Sequence, residues 1–333
     1  MAWPIAMYSA PWASLSLEEV ARRASEWGYQ ALELAAWTQH LDLQAAISEP
    51  DAVESLRAIL EQYDLQAVAI HVGWAPLALA ETAPGAEVRR LWPQFLAQSE
   101  APALQAQQTL CDAVTLAAHL QAGTVVGWTL APPLWMLEVA DTCSLLRDFY
   151  ARQAPLWQPV LQRCREQSVR LALVPQPGQL VWDLFSAELL LHTWDVGDEL
   201  AFALDPTQLF WQGVDPAEFV RSFSERIAHV YVRDIAMQIN GRRSVVCQVW
   251  PPGDKRRGWD YRCPGRGAVD WEALIRALHS IQYRGPLSVY WCDPVIGPEF
   301  GLQEACQFAH RLNFPTVPTA DASFELDQSR ATT

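Results

Sequence analysis

Polar side chains able to move protons or hold a hard cation recur where short apolar runs end. They are Glu33, His71, Gln176, Asp205, Gln208, His229, Tyr231, Arg233, Asp234, Tyr290 and Asp293. Carboxylates, imidazoles and phenols exchange protons with a substrate, and carboxylates together with imidazole bind divalent ions. In an extended run His229 and Tyr231 face one side and Asp234 the other, because side chains alternate with a period of two. The cysteines (Cys111, Cys143, Cys164, Cys247, Cys263, Cys292 and Cys306) are scattered, odd in number and lack a CxxC pair. That argues against a disulfide framework and against a structural zinc site. Cys292 has no neighbour that would lower its pKa and reads as a small packed residue. Trp37, Trp74 and Trp291 fall at or just after strand ends. There an indole suits the wall of a pocket for a sugar face or planar ligand, and equally suits an oligomer contact.

The elements that must position these residues alternate along almost the whole chain. Strands are predicted at 3–9, 31–35, 67–72, 124–128, 170–174, 200–204, 229–233 and 287–291. Helices are predicted at 14–28, 50–64, 103–121, 139–167, 184–193, 216–224, 270–281 and 302–312. Ser16 followed by Glu19 fits a capping box, and Gly28 suits the helix stop. Strict alternation with near-continuous apolar strands implies a parallel sheet covered on both faces, and eight units fit an α/β (β/α)8 TIM barrel. A doubly wound sheet lacks support, since no GxGxxG follows the first strand and no P-loop occurs. The expected organisation is a single barrel domain over 1–313, with long connections at 73–102 and 235–269, and a C-terminal arm or tail at 314–333. In a barrel both connections would lie at the strand C-termini, where ligand chemistry is placed.

Composition narrows the classes further. The chain is 50% hydrophobic and 19% charged, which excludes a disordered chain. A net charge of −14 argues against binding nucleic acid or anionic lipid. No run of about 18 apolar residues predicts a membrane helix. The first residues lack a basic segment followed by an apolar one, so no signal peptide is read and the cytoplasm is the expected location.

The strings LVPQPG (173–178), LDPTQLFWQGVDP (204–216), IAHVYVRD (227–234), RRGWDYRCPGRGAVDW (256–271) and GPLSVYWCD (285–293) occur in this order. At these strings the sequence resembles the xylose-isomerase-like barrel superfamily, in particular its sugar phosphate isomerase/epimerase branch. Typical members read close to LEVHPG, LDPSHLxWQGxDP, IxHVxxKD, RRGWDxxxxGxGxVxW and GPISVEWED there. The resemblance runs from about residue 5 to residue 312. It implies one divalent metal, often manganese, held by carboxylates and imidazole at different strand ends. Such an ion polarises a carbonyl or stabilises an enediolate.

The sequence departs from that pattern at the ligands. The first metal-binding Glu falls at Val174, the Asp is kept as Asp205, the third ligand falls at Tyr231 and the last Glu at Tyr290. Nearby His positions have become Gln176 and Gln208. The set left is too poor for an ion that wants six oxygen-rich contacts, so no cofactor is expected. The charges are replaced together, which predicts a neutral, hydrogen-bonding, aromatic pocket in place of the ion.

Plainer roles compete for each residue. Asp205, before Pro206, equally suits a turn cap. His229 suits a buried, hydrogen-bonded core position, and Arg233 with Asp234 a structural ion pair at the rim. His40 suits a loop hydrogen bond and Arg262 an ordinary surface position. Three functional readings remain. The first is a small-molecule binding or regulatory protein for a carbohydrate-like or aromatic ligand. Trp37, His71, Trp74, Gln176, Gln208, Arg233, Arg262 and Trp291 would contact the ligand. The second is a metal-independent isomerase, epimerase or lyase using Asp205, His229, Tyr231 and Tyr290. Arg233 or Arg262 would then pull a tyrosine pKa toward neutrality. The third is a metal-dependent isomerase with an atypical set such as Asp205, His229 and Asp234, whose facing is poor. The expected partner is a small molecule, with no nucleic acid and no membrane, and a homo-oligomer is left open.

Overall fold

The computed structural model describes residues 3–49, 51–74, 102–129, 131 and 142–314. Eight strands close a barrel: β1 (Ile5–Tyr8), β2 (Ala31–Ala35), β3 (Gln66–Trp74), β4 (Thr124–Trp128), β5 (Arg170–Leu173), β6 (Leu200–Leu204), β7 (Ile227–Val232) and β8 (Leu287–Val289). Each pairs in parallel with its sequence neighbours, and β1 pairs with β8 to seal the ring. Helices α1 (Leu17–Trp27), α2 (Ala52–Gln62), α3 (Pro102–His119), α4 (Thr142–Gln167), α5 (Leu184–Trp194), α6 (Pro216–Ser222), α7 (Trp271–Ser280) and α8 (Pro298–Leu312) follow the strands in turn. The expected barrel is therefore the observed architecture, and no described helix is long and apolar enough to cross a membrane.

Local chemistry explains the boundaries. The Ser16 hydroxyl accepts the Glu19 amide at the start of α1. Gly28 ends that helix in the left-handed region at φ 91°, where a side chain would be strained. Asp183 caps α5 and Asp270 caps α7, each accepting a backbone N–H three residues on.

Most of the core lies between sheet and helices, around residues such as Ile5, Leu32, Val125, Phe202 and Leu278. A second, smaller apolar cluster fills the barrel: Ala69, Val126, Ala172, Val174, Ala201, Ala203, Ala228 and Tyr231. Because four of the eight barrel strands contribute alanine inward, larger polar groups from β2 and β7 fit on the axis.

The connection expected at 235–269 is not a plain loop. Asp234–Met237 and Trp259–Arg262 pair as an antiparallel hairpin that rises directly from β7. Short helices at Leu43–Ser48 and Pro206–Phe210 were also not anticipated; Asp42 and Asp205 cap them. The expected loop at 73–102 is described only at Gly73, Trp74 and Pro102, and the tail only at Phe314; the rest of both lies outside the described residues.

Candidate functional site

Polar residues on the barrel axis form two connected groups. The deeper one centres on Glu33, fully buried on β2. One carboxylate oxygen accepts the Tyr231 hydroxyl at 2.7 Å; the other accepts His229 Nε2 at 3.0 Å and the Ser288 hydroxyl at 2.6 Å. Burial works against the Glu33 charge, but His229 and the donated hydrogen bonds hold its pKa below the ordinary carboxylate value. A buried carboxylate is tolerated here because three donors converge on it.

The upper group lies at the C-terminal ends of β6, β7 and β8. Asp205 Oδ1 accepts the backbone and hydroxyl of Thr207, so the turn-capping role anticipated for it is present. Its Oδ2 accepts Arg233 Nη1 at 2.8 Å. The guanidinium is 3.8 Å from the Tyr261 ring centroid and 3.9 Å from that of Tyr290. Burial disfavours the Arg233 charge, yet Tyr261, Tyr290 and Asp205 keep its pKa above the usual value. Gln208 joins this group, donating to the Tyr261 hydroxyl and accepting the Trp211 indole N–H.

A run of rings links the two groups. Tyr8 lies 5.0 Å from His71, 4.7 Å from Tyr290 and 6.3 Å from Tyr231, centroid to centroid. His71 meets Trp128 edge-on at 4.6 Å. Burial lowers the His71 pKa to about 4, so its imidazole is neutral at pH 7. Its Nδ1 accepts the Gly73 amide, which leaves the proton on Nε2. Burial also raises the pKa values of Tyr8, Tyr231 and Tyr290.

The anticipated residues separate accordingly. Asp205, Arg233, Tyr290 and Gln208 come together at the mouth, with His71 beside them across Tyr8. His229 and Tyr231 are bound to Glu33 one layer below. The suggested Arg233–Asp234 rim pair is not formed: Arg233 pairs with Asp205. Asp234 instead accepts the amides of Ile235, Gly265 and Val269 and the Trp271 indole. Arg262 does not pull a tyrosine toward neutrality, because its guanidinium donates to the Tyr261 carbonyl and neither Tyr231 nor Tyr290 is lowered overall. The Trp291 indole packs against Gly301 of α8. Gln176 sits in a turn closed from its amide to the Val181 carbonyl. Trp37 is 43% exposed and lies over Gly73, facing the Tyr8 hydroxyl. Trp74 ends β3, and His40 makes the expected loop bond, to the Ser9 hydroxyl.

Tyr8 and Tyr261 were missed by the strand-end reading. Tyr8 closes β1, where the polar-residue rule could have found it. Tyr261 reaches the mouth only because the unforeseen hairpin folds back over β7.

The site can be compared with the metal-binding pattern that the resemblance implied. Val174 belongs to the apolar interior cluster, Tyr231 donates to Glu33 and Tyr290 stacks on Arg233. Among the described residues, no group of three or more His, Cys, Asp or Glu is placed to hold an ion.

Known proteins resemble this chain throughout the barrel. The uncharacterized protein YfiH of Bacillus subtilis (strain 168) is 24% identical over 188 residues, 53% of this chain and 58% of that protein. The chain thus matches little more than half the length of that relative. The probable 3-DHS dehydratase AsbF of Bacillus anthracis superposes with a TM-score of 0.65 at 14% identity, covering 92% of this chain and 98% of that one. D-psicose 3-epimerase of Clostridium cellulolyticum H10, crystallised with D-tagatose, gives 0.63 at 12% identity, covering 94% and 100%. These likenesses are of fold. The profile of the xylose isomerase-like TIM barrel matches residues 21–312, nearly the entire barrel, and the chain belongs to that family.

Proposed function

We propose that this barrel binds a carbohydrate-like small molecule at its C-terminal mouth without a resident divalent ion. The observation that carries the reading is the Asp205–Arg233 pair between two tyrosine rings. The carboxylate kept at a ligand position has one oxygen on Thr207 and the other on a guanidinium. A divalent cation beside that guanidinium would be repelled, and valine and neutral phenols offer it no compensating charge. The residues present therefore do not fit the family's metal, and a fixed organic cation stands in its place.

The mouth also holds donors that lack acceptors. Among the described residues, Arg233 Nε and His71 Nε2 are buried without a hydrogen-bond partner, and the Tyr8 hydroxyl has no acceptor. Buried donors left unpaired are costly, and the hydroxyl and carbonyl oxygens of a polyol would satisfy them. Tyr290 and Trp128 supply apolar faces for a sugar ring. The epimerase with D-tagatose bound and the dehydratase, both of this fold, support the substrate class by analogy. Because burial keeps Tyr231 and Tyr290 as neutral phenols, neither supplies the base that metal-free epimerisation needs. Binding without turnover is accordingly preferred to catalysis.

The test combines elemental mass spectrometry of protein purified without chelator with a thermal-shift panel of ketoses, aldoses and polyols. Metal well below one equivalent is expected, together with stabilisation by at least one polyol that is lost in Arg233→Gln. Near-stoichiometric manganese, zinc or cobalt would overturn the metal-free reading. Ligand binding that survives Arg233→Gln unchanged would overturn the site.

A further inference from the structure

The hairpin above β7 carries a second, chemically different hollow. Between its strands the chain runs from Gln238 to Gly258 and encloses about 630 Å³, lined by Asn240, Arg242, Arg243, Trp250, Lys255 and Arg256 among others. This stretch holds five cations (Arg242, Arg243, Lys255, Arg256 and Arg257) and one acid, Asp254, in a chain whose net charge is −14. Acidic groups are in excess over the molecule, and exposed arginines elsewhere take them up, as in the Arg22–Glu19, Arg266–Glu304 and Arg276–Glu272 pairs. Among the described residues lining this hollow, Arg256 is the one cation so paired. Asp254 pairs with Arg256, which lies 3.5 Å from the Trp250 ring centroid. Arg243 donates to the neutral Gln238 amide oxygen, and among the described residues no carboxylate forms an ion pair with Arg242 or Lys255, although the Lys255 charge also helps to lower the Asp254 pKa.

The frame holding these cations is fixed. Arg257 is buried; it donates to the carbonyls of Trp250 and Trp259 and pairs with Asp260. The Trp259 indole donates to the Val245 carbonyl and its ring stacks on Trp211 at 5.5 Å. A side chain at Gly258 would collide with the Ser244 carbonyl, so the two limbs of the connection are in close contact. Like charges held together on such a frame repel, and a multivalent anion relieves that repulsion while meeting donors already in place.

We infer that this hollow is an anion-binding site for a small molecule bearing a phosphate or diphosphate group, held by Arg242, Arg243 and Lys255. The site is separate from the aromatic mouth of the barrel, where Arg233 is paired with Asp205, and does not depend on the reading proposed for it. A phosphoryl group offers several charged oxygens to cations arriving from two limbs of one connection. A volume of about 630 Å³ accommodates a metabolite-sized ligand.

The experiment is calorimetric titration of the full chain with inorganic pyrophosphate and with inorganic phosphate. Sodium chloride is matched to the same ionic strength throughout. Saturable one-site binding of pyrophosphate is expected, tighter than that of phosphate. Affinity should fall at least about tenfold in the double variant Arg242→Glu/Lys255→Glu, since two charge-assisted contacts become repulsive. Both residues are exposed, so the variant should keep the wild-type melting temperature within a degree or so. Circular dichroism and melting of the variant show whether the fold is kept. Absence of saturable binding to the wild type would overturn the inference. So would binding that matched chloride abolishes, or affinity unchanged in the folded double variant.

Discussion

Glu33 is the residue on which the barrel interior depends. It lies on β2, yet its three donors come from β8 and β7, two and three strands round the ring through β1. Glu33→Gln keeps the shape but replaces one acceptor oxygen with an amide that donates. The hydroxyl of Ser288 or Tyr231 then faces a donor, and His229 loses its anion. Removing one member of a buried charged network typically costs about 3 kcal/mol or more. Urea unfolding of Glu33→Gln is expected to show that loss with an unchanged slope. A loss below about 0.5 kcal/mol, the range of plain surface substitutions, would mean that the network contributes little. The residue type and strand-end position marked Glu33 as a candidate in the sequence. Nothing in the sequence said that its partners would be His229, Tyr231 and Ser288, because those contacts span about 200 residues or more and depend on ring closure.

Among the elements, the hairpin following β7 was the least legible. A connection rich in Pro, Gly and charge reads as loop, and four-residue strands carry too little alternation to be seen. Its base is organised by Asp234, whose carboxylate gathers three backbone amides and an indole. Gly267 lies so close that a Cβ there would collide with that carboxylate and with the Ile235 carbonyl. Gly267→Ala is expected to displace Asp234, destabilise the protein by about 2–3 kcal/mol and loosen Tyr261 from Arg233. Hydrogen exchange should then rise at 259–269 and remain unchanged in β2 and β3; uniform protection would contradict this account of the hairpin. The eight strand–helix units, by contrast, were readable, since continuous apolar strands and capped amphipathic helices are written locally.

For the molecule as a whole, buried imidazoles set the response to acid. Burial lowers both His71 and His40 from 6.5 to about 4. Their unfolded forms therefore take up protons first as pH falls. The stability tied to each is fully present above about pH 6.5 and is lost as pH drops toward 4, by up to ~3 kcal/mol per residue. Falling net negative charge works in the other direction, so the comparison that isolates the effect is between wild type and His40→Gln. Melting temperature plotted against pH is expected to decline between 6.5 and 4, and to decline less steeply in His40→Gln. Equal slopes would show that His40 is protonated equally in both states. The same scale holds the charge asymmetry: an acidic molecule with a basic hollow on one hairpin, over a mouth whose charges are paired.

The sequence was sufficient for the barrel, for the order of its elements and for the family, because periodicity, caps and the ordered strings are properties of neighbouring residues. It also raised the expectation, from the resemblance alone, that Val174, Tyr231 and Tyr290 replace metal ligands. It could not show that Arg233 turns away from adjacent Asp234 to pair with Asp205 and lies between Tyr261 and Tyr290. Those partners come from β6, the hairpin and the end of β8, and their meeting depends on barrel closure and on the hairpin folding back. A strand's alternation fixes which way a side chain points; what it meets there is fixed by packing between segments far apart in the chain.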